Sequence, residues 1–146
     1  MRVLIALDGS EFSQAALDSV TNRTWAGGSE FLLFTVAEPF LGDLGGMIPD
    51  DEKQCHMDLL DAQVKAVKLL MHPHKVTGEV GEGIACDEIV KTALQWHADF
   101  IVMGSRGRSG LDHFFLGSVA ESVVNKSPCS VEVIKAPLRN AVLGNP

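Results

Sequence analysis

The chain has 146 residues, 46% of them hydrophobic and 21% charged, which predicts a single globular domain over residues 1–146 with a core of ordinary size. Its formal net charge of −7 argues against the basic surface that non-specific nucleic-acid binding needs, so we expect no nucleic-acid partner. The first apolar run, Val3 to Leu7, is too short for a signal-peptide core and no run approaches membrane-spanning length, so we expect a cytoplasmic protein without a membrane partner.

The N-terminal part of the chain predicts a strand, a helix and a second strand. Val3 to Leu7 is an unbroken apolar run, typical of a strand buried on both faces. Ser10 predicts the N-cap of a first helix, which we expect to end near Gly27-Gly28. Phe31 to Val36 is the second buried strand.

The middle of the chain predicts a long connection, a long helix, an edge strand and a third helix. Glycines and prolines between Ala37 and Asp50 indicate a loop long enough to form a flap over a site. The helix after it stops before Pro73 and packs one apolar face on the core. That face has alternating spacings of three and four residues: Met57, Leu60, Val64, Val67 and Met71. Lys75 to Val80 alternates apolar with polar residues, which favours an edge strand, and Ile84 to His97 forms the third helix.

A glycine loop, Gly104 to Ser118, is the most informative motif in the chain. Phe100 to Met103 predicts a buried strand, and the loop then reads G-x2-G-x9-G-S before a helix over Val119 to Lys126. Ser118 and Glu121 form an S-x-x-E capping box that predicts where this helix begins. Because such a loop brings backbone N–H groups and the positive end of the helix dipole to one point, we expect it to bind an anion, with phosphate as the first candidate.

The order of these elements predicts the architecture. Ser130 to Lys135 forms a fifth strand, so strands and helices alternate along the chain. This alternation requires a parallel sheet with right-handed crossovers and helices on both faces. Such sheets bind ligands at the carboxyl ends of strands, where the winding direction reverses. If the first strand is central, the crevice is lined by Leu7-Asp8, Val36 and Met103-Gly104, and the glycine loop forms its floor.

The glycine loop and three other segments resemble the universal stress protein family, over nearly the whole chain. The other segments are Leu4-Ile5-Ala6-Leu7-Asp8-Gly9-Ser10, Phe34-Thr35-Val36 and Pro128-Cys129-Ser130-Val131-Glu132-Val133-Ile134. The resemblance implies a flavodoxin-like or Rossmann-like three-layer αβα sandwich with five parallel strands in the order 3-2-1-4-5. Because the chain keeps all the motif glycines, the resemblance implies the branch of the family that binds ATP.

The resemblance also implies which residues hold the nucleotide, which is ATP, or ADP or AMP, with or without Mg²⁺. These positions are Ala6, Leu7, Asp8, Val36, Met103, Gly104, Ser105, Arg106, Gly107, Arg108, Gly117, Ser118 and Val119. Arg106 and Arg108 can pair with the outer phosphates, although either can equally point to water. Asp8 can accept hydrogen bonds from ribose or adenine but repels a triphosphate unless Mg²⁺ or the arginines intervene, and a plain helix-start turn is its alternative role. Val36 supplies a flat apolar wall for adenine, although any buried strand needs such a valine.

Physical reasons support the glycine positions separately. Gly104 and Gly107 permit positive φ and close backbone approach, so that successive N–H groups can turn inward on phosphate oxygens. Gly117 plays the same part at the helix entrance, and the Ser118 hydroxyl either caps the helix or donates to phosphate. The alternative is that these glycines build a long loop before a capped helix and bind nothing.

The motifs favour a binding protein over an enzyme. The chain lacks the G-x-x-x-x-G-K-[ST] sequence of P-loop NTPases, His113 lies in mid-loop, and Ser118 has no partner histidine. We therefore predict a nucleotide-dependent stress-response or regulatory module with an unidentified protein partner, no catalytic or metal-binding residues, and at most slow ATP hydrolysis. The alternatives are a slow ATP hydrolase and a dimeric interaction protein that binds no nucleotide.

The last predicted strand, Ser130 to Lys135, also predicts a homodimer. Its apolar side chains lie in a terminal strand: Val131, Val133 and Ile134. Pairing with a second copy across a two-fold axis would cover the exposed sheet edge, as the resemblance also implies. The alternative is a lone edge protected by Lys135 and Pro137.

The cysteines and the paired histidines give no sign of a metal or redox site. Cys55, Cys86 and Cys129 are widely spaced and form no C-x-x-C pair, so we interpret them as buried or half-buried thiols in a reducing compartment. His72 and His74 are interpreted as part of a solvated turn, because no carboxylate or thiol stands beside them.

Overall fold

Five strands and four helices alternate along the chain in the computed structural model, which describes residues 1–39, 46–107 and 116–136. The strands are β1 Arg2–Leu7, β2 Glu30–Ala37, β3 Lys75–Glu82, β4 Phe100–Gly104 and β5 Ser130–Ile134. The helices are α1 Glu11–Thr21, α2 Asp50–Leu70, α3 Ala85–Gln95 and α4 Ser118–Lys126. Among these described residues, no helix is both long and apolar enough to cross a membrane.

The strands form one parallel sheet in the order β3-β2-β1-β4-β5. β1 is central, since Val3 pairs with Phe31 of β2 on one side and with Phe100 of β4 on the other. β3 is an edge strand, as its alternating sequence predicts, and β5 forms the other edge. The predicted Rossmann-like three-layer αβα fold with strand order 3-2-1-4-5 is therefore confirmed.

Side-chain alternation along β1 divides the core into two layers. Val3, Ile5 and Leu7 point to one face, where α1 and α2 pack. Leu4 and Ala6 point to the other face, which α3 and α4 cover. The chain therefore winds outward from β1 through β2 to β3 on one side, then returns to β4 and β5 on the other, and the reversal leaves a crevice where β1 and β4 end.

α1 ends at Thr21, so the expectation that it ends near Gly27-Gly28 is wrong. Trp25 explains the difference. Its indole Nε1 donates to the Val20 carbonyl at 2.9 Å, and its ring packs edge-on against Phe31 with centroids 5.3 Å apart. Because Trp25 folds back over the last helical turn onto the core, the chain leaves the helix before it reaches the glycines.

α2 packs the predicted face on the sheet except at its first turns. Leu60, Val64 and Val67 are buried, as expected, whereas Met57 is 48% exposed and its prediction as a core residue is wrong. The face passes instead through His56, which is half-buried. The buried residues of α2 begin at Leu60, so Met57 lies before the part of the helix that the core covers.

The cysteines and histidines depart from expectation at two positions. Cys86 and Cys129 are half-buried free thiols, as expected, but Cys55 is exposed because it lies on the outward side of α2. His74 is half-buried rather than solvated, since its ring packs edge-on against Phe31 with centroids 5.5 Å apart. Within the described ranges, no three His, Cys, Asp or Glu side chains cluster in a way that could hold a metal ion.

Candidate functional site

A cavity of about 450 Å³ opens at the carboxyl edge of the sheet, where β1, β2 and β4 end. Its volume is typical of a small-molecule site, and it lies where the winding direction reverses. Most positions proposed from the sequence line it: Ala6, Leu7, Asp8, Val36, Met103, Gly104, Arg106, Gly107, Gly117, Ser118 and Val119. Ser105 is not among the lining residues, and Arg108 and His113 lie outside the described residues.

Two backbone hydrogen bonds fix the ends of the glycine loop. The Ser105 N–H donates to the Ile134 carbonyl of β5 at 2.8 Å, and the Gly117 N–H donates to the Ser105 carbonyl at 2.7 Å. Ser105 is therefore buried and acts as the joint between β5 and the two ends of the loop. Because the Gly117 N–H is used in this closure, it is not available to a ligand.

The start of α4 supplies the anion-binding geometry, but one residue earlier than the capping box predicts. The N-cap is Gly117, whose carbonyl accepts the Glu121 N–H at 3.0 Å, so Ser118 is the first helical residue and the Ser118 capping box does not form. The bond that ties Gly117 to Ser105 fixes this boundary. The N–H groups of Ser118, Val119 and Ala120 are the first of the helix and have no partner within it. All three residues line the cavity, which suits a negatively charged ligand.

The loop glycines are required for close approach and not for positive φ, which none of the three adopts. A Cβ at Gly104 would lie 2.6 Å from the backbone carbon of Phe12, so this glycine lets α1 pack on β4. A Cβ at Gly107 would lie 3.0 Å from Asp8 Oδ2, and one at Gly117 would lie 3.2 Å from the Arg106 Cα. The expected positive φ is wrong; Gly104 faces α1, whereas Gly107 faces Asp8 in the cavity lining.

Asp8 organises the turn before α1, which is one of the two roles that the sequence leaves open, and it also lines the cavity. Its Oδ1 accepts the Ser10 N–H at 2.9 Å, and its own N–H donates to Ser13 Oγ at 3.3 Å, so it organises the turn before α1. The Ser10 hydroxyl in turn accepts the Ser13 N–H, which confirms Ser10 as the N-cap of α1. The second carboxylate oxygen of Asp8 faces Gly107 in the cavity lining.

Arg106 brings positive charge to the same end of the cavity. It is half-buried, and its guanidinium carbon lies 5.7 Å from the centre of the Phe12 ring, a distance that permits a cation–π contact. Together with Gly107 and the first N–H groups of α4, it defines what we call the β4 end of the cavity.

The opposite wall, which we call the β2 end, consists of Thr35, Val36 and Glu38 with residues of α2 and α3. Val36 is half-buried and contributes apolar surface. Glu38 Oε1 accepts the Ala85 N–H at 2.9 Å, so this carboxylate holds the start of α3 beside the end of β2.

Two residues at the β2 end, Glu52 and His56 of α2, were not predicted from the sequence. They lie four residues apart in the first turns of α2, before the buried residues Leu60 and Val64, and His56 is half-buried whereas Glu52 is exposed. The sequence carries no signal for them, because polar residues in the first turns of an amphipathic helix are typical of a solvated face.

The extent of similarity to known proteins decides the family. The model of the universal stress protein family matches residues 1–135. The chain belongs to the universal stress protein family. Another family member, universal stress protein MJ0531 of Methanocaldococcus jannaschii, is 32% identical over 144 residues, which cover 93% of this chain and 82% of that protein.

Two solved structures of universal stress proteins contain nucleotides. One is a complex with cAMP, which matches at a TM-score of 0.71 and 22% identity over 94% of this chain and 98% of that chain. The other, from Arabidopsis thaliana with AMP bound, matches at a TM-score of 0.65 and 18% identity over 97% of this chain and 96% of that chain. At these identities the matches show the shared fold.

Proposed function

We propose that the chain binds an adenine nucleotide in this cavity and acts as a nucleotide-dependent stress-response or regulatory module with little or no hydrolysis. The ligand is ATP, or ADP or AMP, with or without Mg²⁺. The β4 end of the cavity carries the proposal, because the first N–H groups of α4 and the Arg106 side chain meet there. The nucleotides in the two solved relatives, cAMP and AMP, support the adenine class.

The spacing of the strands suits a nucleotide. β2 and β4 flank β1, and neighbouring strands lie about 4.8 Å apart, so the two ends of the cavity are about 10 Å apart. Phosphates at the β4 end put the ribose near Asp8 and the base at the β2 end. Val36 and Ile89 give that base an apolar surface.

The charges in the lining favour holding a nucleotide over hydrolysing it. Hydrolysis needs a base, or a group that orients water, within hydrogen-bond reach of the attacked phosphate. In the described lining, Glu38, Glu52 and His56 belong to the β2 end, and Asp8 lies at the position proposed for the ribose. Mg²⁺ or Arg106 would offset the repulsion between Asp8 and a triphosphate.

Isothermal titration with ATP, ADP, AMP and cAMP, each with and without MgCl₂, tests the proposal. We expect the wild-type protein to bind ATP. Gly107→Val is expected to weaken ATP binding by at least about tenfold, because a Cβ there would lie 3.0 Å from Asp8 Oδ2 and further atoms would enter the cavity. The matched control is Gly27→Val, since a Cβ at Gly27 would meet nothing within 4 Å.

Two results would change the proposal. If the folded wild-type protein binds none of the four nucleotides, the chain is an interaction protein that works without them. If purified protein releases phosphate from ATP and Gly107→Val abolishes the release, the chain is a slow ATP hydrolase. Mass spectrometry of nucleotide released on denaturation identifies the resident ligand.

We also propose that the protein forms a homodimer through β5 and that nucleotide occupancy changes a surface read by a partner protein. β5 is an outer strand, so one side of its backbone has no neighbouring strand among the described residues. The Ile134 carbonyl at its end accepts the Ser105 N–H of the glycine loop. The proposed dimer edge therefore contacts the start of the glycine loop, which lines the proposed nucleotide site through Arg106 and Gly107.

A further inference from the structure

Two polar side chains of α2, Glu52 and His56, complete the β2 end of the cavity. α2 packs on β2 and β3 through a face that includes Leu60 and Val64. His56 and Glu52 lie about one and two turns before Leu60, and both line the cavity at the carboxyl edge of the sheet. The start of α2, before its first buried residue, thus brings these two polar residues to the cavity.

These two side chains are available to a ligand. Within the described part of the chain, neither the Glu52 side chain nor the His56 side chain forms a hydrogen bond or an ion pair with another residue. Glu38, the other carboxylate at this end, already accepts the Ala85 N–H at 2.9 Å. Glu52 and His56 are therefore the side chains of the β2 end whose polar atoms have the most capacity for a ligand.

An organic ligand suits this pair better than a metal ion does. Glu38, Glu52 and His56 do not form a cluster that could hold a metal, as judged over the described residues. A carboxylate can only accept hydrogen bonds, whereas a neutral imidazole donates through one nitrogen. The pair thus offers one acceptor and one donor, separated by one helical turn.

We propose that Glu52 and His56 recognise the edge of the adenine base. The Glu52 carboxylate accepts a hydrogen bond from the 6-amino group, and the His56 imidazole N–H donates to the neighbouring ring nitrogen. This assignment rests on the proposed function, because phosphates at the β4 end are what put the base at the β2 end. A purine that lacks the 6-amino group leaves Glu52 without its partner.

Titration with ATP and with purine riboside triphosphate, which lacks the 6-amino group, tests the role of Glu52. The wild-type protein is expected to bind ATP about tenfold more tightly than purine riboside triphosphate. This ratio is typical for the loss of one hydrogen bond to a charged group. Glu52→Ala is expected to weaken ATP binding by about tenfold and to leave the affinity for purine riboside triphosphate unchanged, which removes the preference for ATP. Glu52→Gln keeps an acceptor oxygen and is expected to retain most of the preference for ATP.

His56→Ala is expected to weaken the binding of both nucleotides equally, because both keep the ring nitrogens of the purine. The controls are substitutions of neighbours on α2 that do not line the cavity, Asp51→Ala for Glu52 and Cys55→Ala for His56. They are expected to bind both nucleotides as the wild type does. Circular dichroism of every variant checks that α2 and the fold are intact.

The outcomes separate this inference from the proposed function. If the wild-type protein binds neither nucleotide, both are overturned. If it binds ATP and purine riboside triphosphate equally, or if Glu52→Ala leaves its preference intact, the nucleotide site stands and the role of Glu52 is overturned. Unchanged affinities in a folded His56→Ala variant overturn the role of His56.

Discussion

Gly104 and Gly107 stand three residues apart in one motif but face different parts of the molecule. The missing side chain of Gly104 leaves room for the backbone of Phe12 in α1, whereas that of Gly107 leaves room beside Asp8 in the cavity. The same substitution at the two positions is therefore expected to have different effects.

Gly104→Ala is expected to lower the free energy of unfolding by about 1–3 kcal/mol, because the new Cβ would overlap backbone atoms that cannot move independently. Gly107→Ala is expected to change stability less and nucleotide affinity more, since its Cβ would meet a side-chain oxygen at 3.0 Å. Urea unfolding and ATP titration measure the two effects. The assignment of Gly104 to packing is wrong if its variant unfolds like the wild type.

The sequence predicts residues of this site only where one residue type is needed. Glycines that permit close approach and an acidic residue at a strand end are recognisable, so Gly107 and Asp8 are predictable. Which atom each glycine approaches depends on distant residues such as Phe12. Glu52 and His56 look in the sequence like any solvated helix face, and only the packing of α2 on the sheet puts them in the cavity.

An ion pair joins two elements that are far apart in the chain. Arg23, just after α1, donates two hydrogen bonds to Glu132 of β5, and the Nη1–Oε2 distance is 2.7 Å. The hydrogen bond from Arg23 holds the pKa of the Glu132 carboxyl below its ordinary value of 4.5. The charged form of Glu132 is thus favoured in the folded protein.

Removing this pair is expected to change the acid dependence of stability. Since folding lowers the pKa of Glu132, the pair stabilises the protein above pH 4.5, and this stabilisation is lost as pH falls from there through the folded-state pKa. Both side chains are partly exposed, so Glu132→Gln is expected to cost less than about 1 kcal/mol at pH 7.

Urea unfolding from pH 7 down to pH 3 measures this difference, which is expected to shrink toward the acid end. Glu79→Gln, an exposed position on the opposite edge strand β3, controls for the loss of one charge. A stability difference that stays constant over the whole pH range would contradict the role of the ion pair.

At the level of elements, the strands were predictable and the helix ends were not. Unbroken apolar runs identify strands buried on both faces, because few other structures exclude polar residues so completely. The end of α1 and the start of α4 depend on Trp25 folding back onto the core and on the bond between Gly117 and Ser105, which form only when distant elements meet.

The parallel sheet with helices on both faces follows from the alternation of elements, whereas the order of its strands came from the family resemblance. Alternation constrains the handedness of crossovers but leaves open which strand is central. The position of β1 between β2 and β4 brings the predicted residues together at one edge of the sheet.

The proposed dimer belongs to the whole molecule. Light scattering at micromolar concentration is expected to give twice the chain mass. Val133→Lys, on the outer strand β5, is expected to halve the mass because it places a charge in the proposed interface, and circular dichroism checks that this partly buried position tolerates the change. Val124→Lys, at an exposed position of α4, is the control. A monomeric mass for the wild-type protein would remove the proposal.

The hydrogen bond from the Gly117 N–H to the Ser105 carbonyl makes the position of α4 insensitive to the length of the glycine loop. It holds the two ends of the glycine loop together whatever number of residues connects them. Doubling such a connection costs only about 0.6 kcal/mol of chain entropy. Insertions between residues 108 and 115 are therefore expected to leave the start of α4 in place, which makes this segment a suitable position for a fluorescent reporter of ligand binding.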